Sequence, residues 1–194
     1  IDGGTTFTAV PDSAITGKSV AHVEAGLTAS DTVQFRVVDA AGNPGAVADQ
    51  PVTIDVTAPT TTVNIDSISD DSGSSASDFI TNDDDGLTIN ATLSSVLGAD
   101  ETLEVSIDGG TTFTAVPDSA ITGTSVAHVA AGLTVSATVQ FRVVENVLNL
   151  VGPVAEQDVT IDTTAPTAPT VDALTTSGTT PTITGTATLG SGET

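Results

Sequence analysis

The 194-residue chain carries 25 acidic side chains, 19 of them Asp, against 3 basic ones, for a formal charge of −22. That sign excludes nucleic acid as a partner, and the absence of Cys excludes disulfides, thiolate metal sites and thiol catalysis. Apolar residues still reach 38%, mostly Val, Ala, Ile and Leu, with only 5 Phe and no Trp, Tyr or Met, so a core can be buried and the β-branched bias favours strands over helices.

No apolar run approaches the roughly 18 residues of a membrane span, which argues against membrane insertion of this segment. Ile1 opens neither a signal peptide nor a start codon, so the expectation is an internal slice of something longer. Disordered acidic chains lack regular apolar alternation, whereas this one has it throughout.

Self-similarity organises the chain. Residues 1–38 match residues 107–144 with 34 identities, the differences being Lys18/Thr124, Glu24/Ala130, Ala29/Val135 and Asp31/Ala137. Downstream, Val52-Thr53-Ile54-Asp55 recurs as Val159-Thr160-Ile161-Asp162, and Thr57-Ala58-Pro59-Thr60 as Thr164-Ala165-Pro166-Thr167. The expected domains are 1–57, the rear of one repeat; 58–164, a complete repeat; and 165–194, the front of a following, divergent one.

In chain order, residues 1–57 hold about four strands, with a turn at Asp2-Gly3-Gly4. In the complete copy, Val63-Asn64-Ile65 begins the first strand. Leu87, Ile89, Ala91 and Leu93 face inward on the second, with Thr88, Asn90 and Thr92 outward. Leu103, Val105 and Ile107 repeat the pattern on the third, and Asp108-Gly109-Gly110 turns it into Phe113–Val116. Ser125–Val129 makes the fifth. Val139, Phe141 and Val143 face inward on the sixth, with Gln140 and Arg142 outward, and Val159 and Ile161 anchor the seventh. Seven short strands separated by Gly, Asp and Pro turns predict an all-β chain of immunoglobulin-like Greek-key sandwiches in tandem, rod-like overall. Residues 165–194 hold about two more strands. Because neither end piece can bury a core alone, a head-to-tail contact between fragments is expected in a crystal, one fragment's tail meeting the next one's head.

The most informative stretch is Asp66 to Asp85, where seven carboxylates (Asp66, Asp70, Asp71, Asp78, Asp83, Asp84, Asp85) sit in 20 residues without a cation. Together with Asn82 and the neighbouring glycines they offer the hard oxygen donors that Ca²⁺ takes six to eight at a time. The alternative is a solvated acidic loop. In a sandwich of this kind the loop after the first strand lies at the end where the last strand exits, so Asp162 and the linker behind it are expected beside it. Asp55 occupies the equivalent linker of the preceding copy, where Asp100, Glu101 and Glu145-Asn146 would come in from the following domain. Asp39 and Asn43 are the first copy's version of that last loop, as calcium ligands or as an ordinary Asx turn.

Other candidates are weaker. His22 and His128 sit in equivalent Val-Ala-His-Val contexts, with no nucleophile or second base at a readable spacing, and are expected to be strand residues with satisfied rings. Asn90-Ala91-Thr92 is a formal glycosylation triplet. Phe7, Phe35, Phe113 and Phe141 are expected in cores, and Phe79 as the hydrophobic anchor of the acidic loop.

Asp162-Thr163-Thr164-Ala165-Pro166-Thr167, Ser77-Asp78-Phe79-Ile80-Thr81-Asn82-Asp83-Asp84-Asp85-Gly86, Ser106-Ile107-Asp108-Gly109-Gly110-Thr111-Thr112 and Val38-Asp39-Ala40-Ala41-Gly42-Asn43 resemble the tandem bacterial Ig-like extender repeats of very large RTX adhesins. The resemblance implies an extracellular, cell-surface spacer that projects a distal ligand-binding region and is stiffened by Ca²⁺ at its domain junctions. It further implies that the partners are neighbouring repeats of the same chain. Two departures stand out: Glu145-Asn146-Val147-Leu148-Asn149 replaces Asp-Ala-Ala-Gly-Asn in the complete copy, and residues 165–194 lack the long acidic loop. The alternative is an adhesive module that grips carbohydrate, protein or ice through its own surface, against which stand the missing Trp and Tyr and the scattered Thr. No carboxylate pair, His cluster or nucleophile motif points to an enzyme.

Overall fold

In the computed structural model, residues 6–190 are described; the turn expected at Asp2-Gly3-Gly4 and the last residues, 191–194, lie outside them. The described residues form strands and two single 3-10 turns, without an α-helix, and hence without one long and apolar enough to cross a membrane. The chain is all-β. It divides into two compact units, Ile1–Ala58 with Val147–Leu150, and Pro59–Asn146 with Val151–Thr194. One division falls inside Thr57-Ala58-Pro59-Thr60, while the stretch after Thr164 groups with the second unit.

The first unit contains β1 (Ile15–Thr16), β2 (Ser19–Val20), β3 (Asp31–Phe35) and β4 (Ala48–Val52), paired β1 with β2 and β3 with β4, all antiparallel. Most of its apolar side chains are exposed. Phe7 is half-buried because the Arg36 guanidinium lies over its ring at 3.9 Å.

The second unit is a two-layer sandwich. It contains β5 (Val63–Ile68), β6 (Ile80–Thr81), β7 (Leu87–Leu93), β8 (Glu101–Ser106), β9 (Thr114–Ala115), β10 (Ile121–Thr122), β11 (Ser125–Ala130), β12 (Ala137–Glu145) and β13 (Leu150–Ile161), followed by a small pair, β14 (Thr170–Val171) with β15 (Gly185–Thr186). One sheet has the order β10-β11-β7-β5, the other β6-β13-β12-β8-β9. All pairings with a resolved register are antiparallel except β6 with the end of β13, which is parallel.

Period-two alternation explains the core. Leu87, Ile89, Ala91 and Leu93 of β7 are buried, as are Leu103 and Val105 of β8 and Val139, Phe141 and Val143 of β12, with Val126, Ala130 and Val159 completing the layer between the sheets. The third strand ends earlier than its alternation suggests: Ser106 is buried and Ile107 only half so. The Ser106 hydroxyl donates to Asp108 Oδ1 at 2.6 Å and accepts from Gly110 N at 2.9 Å, which turns the chain before another residue can pair. The last strand is longer than expected, running 12 residues.

Of the four Phe expected in cores, Phe141 alone is buried. Phe113 lies in the hairpin outside the layer, its ring covered by Arg142 at 3.7 Å, and Arg142 is held by Glu104 at 2.8 Å. Phe35 is exposed because no second sheet covers it. Phe79, as expected of an anchor, packs against the edge of the core.

Candidate functional site

The acidic stretch is more structured than a loop. Asp66 belongs to β5, at a bulge: Ile65 pairs with Ala91 and Ser67 with Asn90, leaving Asp66 as the extra residue. The bulge aims its carboxylate along the outer sheet face, where Oδ2 accepts from Thr92 Oγ1 at 2.7 Å and Oδ1 accepts from Asn64 Nδ2. Asp66 is thereby engaged with strand residues and not with the other acids. It lines a shallow depression of about 330 Å³ with Asn90, Thr92 and Ser125. Asn90, half-buried, donates to Ser67 Oγ at 3.1 Å, so the formal glycosylation triplet lies inside a paired central strand.

Beyond Ile68 the chain folds around Thr81. The Thr81 hydroxyl is buried, donates to Asp70 O at 2.6 Å and accepts from Asp83 N at 3.0 Å. Ser72 Oγ donates to Asn82 Oδ1 and accepts from Asn82 N, both at 2.9 Å. Asp78 Oδ1 accepts from Ile80 N at 3.2 Å and Asp83 Oδ1 from Asp85 N at 3.1 Å, each an Asx turn. Asp70 and Phe79 take positive φ, +54° and +59°, where the backbone reverses, and Gly86 closes the segment at φ +106°. A side chain at Gly86 would meet Ala131 Cα at 2.8 Å, so glycine is required twice over.

The result sets Asp83, Asp84 and Asp70 close enough to act on Asp85. Asp85 is pushed above the ordinary carboxylate value, first by the hydrogen bond it shares with Asp83 and then by the charge of Asp83, with Asp84 and Asp70 adding. Asp71 is placed differently. Its Oδ2 accepts from Phe79 N at 3.1 Å, while its Oδ1 is buried and has no hydrogen-bond partner. A desolvated carboxylate oxygen left unpaired is costly, and such an oxygen calls for a cation or an ordered donor.

Asp162 joins this end of the sandwich. The pairing of β6 with Thr160–Ile161 is extended on both sides, by Thr160 N to Phe79 O and Asp162 N to Thr81 O, both 2.9 Å. Asp162 Oδ1 caps Thr164 N at 2.9 Å, and Asp55 does the same for Thr57 N at 2.9 Å in the first unit. Asp100 and Glu101 lie at the opposite end of the second unit. Glu101 Oε2 accepts from Gly98 N at 2.8 Å, Asp100 O from Asn146 N at 2.8 Å, and the strand register sets Glu145 opposite Glu101. In the first unit, Asp39 takes Ala41 N and Asn43 N on Oδ1 and Asn43 Nδ2 on Oδ2, at 2.8–2.9 Å, which holds its carboxyl below the usual range, the Asn43 side chain contributing most.

Among the described residues, no three Asp, Glu or His side chains already converge as a metal-holding group. The donor chemistry suits a hard cation, with Asp71 Oδ1 as the unsatisfied oxygen and Asp70, Asp83, Asp84, Asp85 and Asn82 as further oxygen donors of the same segment.

Two features escaped the sequence. The short strand β6 is hidden in a polar run, since Ile80-Thr81 alternates for too few residues to register. The ring of His128 is not satisfied: Nδ1 is buried without a partner, because the inward pleat of β11 sets it opposite Ile89 and edge-on to Phe141, with ring centroids 6.4 Å apart. Its copy His22 instead lies 3.6 Å from Glu24, a residue that is Ala130 in the complete repeat. Comparison with protein-family models, with curated proteins and with solved structures returns no match.

Proposed function

We propose that this chain is a calcium-stabilised structural spacer made of immunoglobulin-like repeats, of the kind that extends a large adhesin from a bacterial cell surface, and that it does no catalysis. The strand order supports the immunoglobulin-like part of this reading: β5, β7, β11 and β10 form one layer and β8, β12 and β13 the other, the division of the constant-type sandwich. The near-identity of residues 1–38 with 107–144 supports the repeat.

The single observation that carries the calcium assignment is Asp71 Oδ1, buried without a partner in a segment where Asp83, then Asp84 and Asp70, push the Asp85 carboxyl above its ordinary value. A cation there satisfies the oxygen, removes the repulsion among Asp70, Asp83, Asp84 and Asp85, and ties the segment to the exit of β13. The residues would hold the ion as oxygen ligands, with affinity in the range of about 10⁻⁴ to 10⁻³ M typical of extracellular modules.

Melting in EDTA and in millimolar CaCl₂ tests this. Binding to the folded state alone adds RT ln(1 + [L]/Kd), about 0.4 kcal/mol when about 1 mM CaCl₂ meets a Kd of about 10⁻³ M and about 2.7 kcal/mol when about 10 mM meets a Kd of about 10⁻⁴ M, so the melting temperature rises with calcium. Asp71→Asn is expected to shrink that rise while keeping the melt cooperative in EDTA. An identical melting temperature in both buffers overturns the proposal.

A further inference from the structure

Aspartate followed by glycine is the pair at which a protein backbone rearranges most readily, because glycine has no Cβ to keep its amide nitrogen away from the aspartyl Cγ. The chain has three such pairs: Asp2-Gly3, outside the described residues, and Asp85-Gly86 and Asp108-Gly109, both in the second unit. Asp85 and Asp108 are both exposed, so access to water does not separate them.

What separates them is how firmly the reacting atoms are held. The Asp108 carboxylate is fixed on both oxygens, by the hydroxyls of Ser106 and Thr112 and by Thr112 N. The nucleophile beside it is occupied as well, since Gly109 N donates to Thr138 O at 3.1 Å. At Asp85 neither lock exists. No backbone amide or hydroxyl donates to its carboxyl, which shares a hydrogen bond with the side chain of Asp83, and Gly86 N donates to no acceptor.

We propose that Asp85-Gly86 is a site of spontaneous aspartyl isomerisation, and that the fold closes the same reaction to Asp108-Gly109. Gly86 N attacks Asp85 Cγ; the N–Cγ bond forms, the Cγ–OH bond breaks, and the hydroxyl leaves with the amide proton as one water. The resulting succinimide takes up a water at either carbonyl. Addition at Asp85 C breaks its bond to Gly86 N and leaves isoaspartate, with the main chain running through Cγ and the former main-chain carbonyl as a free carboxylate. Addition at Cγ restores aspartate. Water is the only co-reactant, so the step is independent of the calcium assignment. Isoaspartate lengthens the backbone by one methylene just ahead of Gly86, which lies so close to Ala131 that a Cβ would meet its Cα at 2.8 Å. The change therefore falls at the join between the acidic segment and β7.

Prolonged incubation of the full chain in EDTA, below its melting temperature, tests this. Digestion with a protease that cuts before aspartate but not before isoaspartate, followed by electron-transfer fragmentation of the peptides, counts the isomer at each position. In the folded chain, isoaspartate should accumulate at Asp85 at least about tenfold faster than at Asp108, where an amide bond and several bonds to the carboxylate must first be given up. In urea neither lock survives, and the two rates should converge. Absence of isoaspartate at Asp85 overturns the proposal, as do equal rates in the folded chain or a preference for Asp85 that is as large in urea.

Discussion

Asp108 shows how one carboxylate can organise a turn. It accepts from Ser106 Oγ at 2.6 Å, Thr112 N at 2.9 Å and Thr112 Oγ1 at 2.6 Å, and those bonds, Ser106 first, lower its pKa from 3.8 to about 2. A carboxylate depressed on folding contributes stability above its unfolded value that is lost as pH falls through the folded one. The melting temperature should therefore drop between about pH 4 and pH 2, and Asp108→Asn should lower it at neutral pH while flattening that part of the profile. His128 acts on a different window. Burial lowers its pKa from 6.5, so below that pH the unfolded chain takes up a proton that the folded one resists, and stability falls as pH falls. Thermal melts between about pH 7 and pH 5 should show this loss in the native chain and less of it in His128→Leu.

Strands decide what a side chain is worth. Phe141 on β12 is enclosed by both layers, so Phe141→Ala should cost about 3–5 kcal/mol. Phe35→Ala, in a nearly identical local sequence, should change stability by less than about 0.5 kcal/mol when the chain is kept dilute. Chemical denaturation of the two variants checks the pair, and equal losses would mean that the first unit has a core of its own. The same contrast marks what sequence alone makes legible. Alternation identified the strands of the second unit that bury one face, as Leu87 to Leu93 and Val139 to Val143 show, and found only the Val159–Ile161 end of β13, whose residues are mostly exposed or half-buried. It failed for Phe35 because alternation reports which residues share a face and not whether anything covers that face. It also could not assign Asp66, whose placement depends on a one-residue bulge, nor the unpartnered oxygen of Asp71, whose sister oxygen is taken by Phe79 N eight residues on. The meeting of Asp162 with the acidic segment did follow from topology, since it depends on strand order alone.

At the scale of the whole molecule, charge is not balanced from within. Of three cations, Arg36 and Arg142 lie over Phe7 and Phe113, so they serve as covers for rings and leave most carboxylates without a basic neighbour. Connectivity adds a different property. In the second unit β6, near the beginning of the sandwich, runs parallel to the end of β13, and the bonds from Thr160 N and Asp162 N flank that pairing. Tension applied between the front of β5 and the exit of β13 pulls these two segments in opposite directions along their length, so the bonds are loaded in shear and must give way together. Peeling them one at a time would need a pull across the strands. Asp162→Pro deletes one of these amide donors next to a residue already extended. In single-molecule pulling it should lower the rupture force of the sandwich while leaving the thermal melt nearly unchanged, and an unaltered force would show that the load passes elsewhere. The small patch between Phe79 and Asp162 then acts as a mechanical fuse, setting how hard the sandwich can be pulled before it extends.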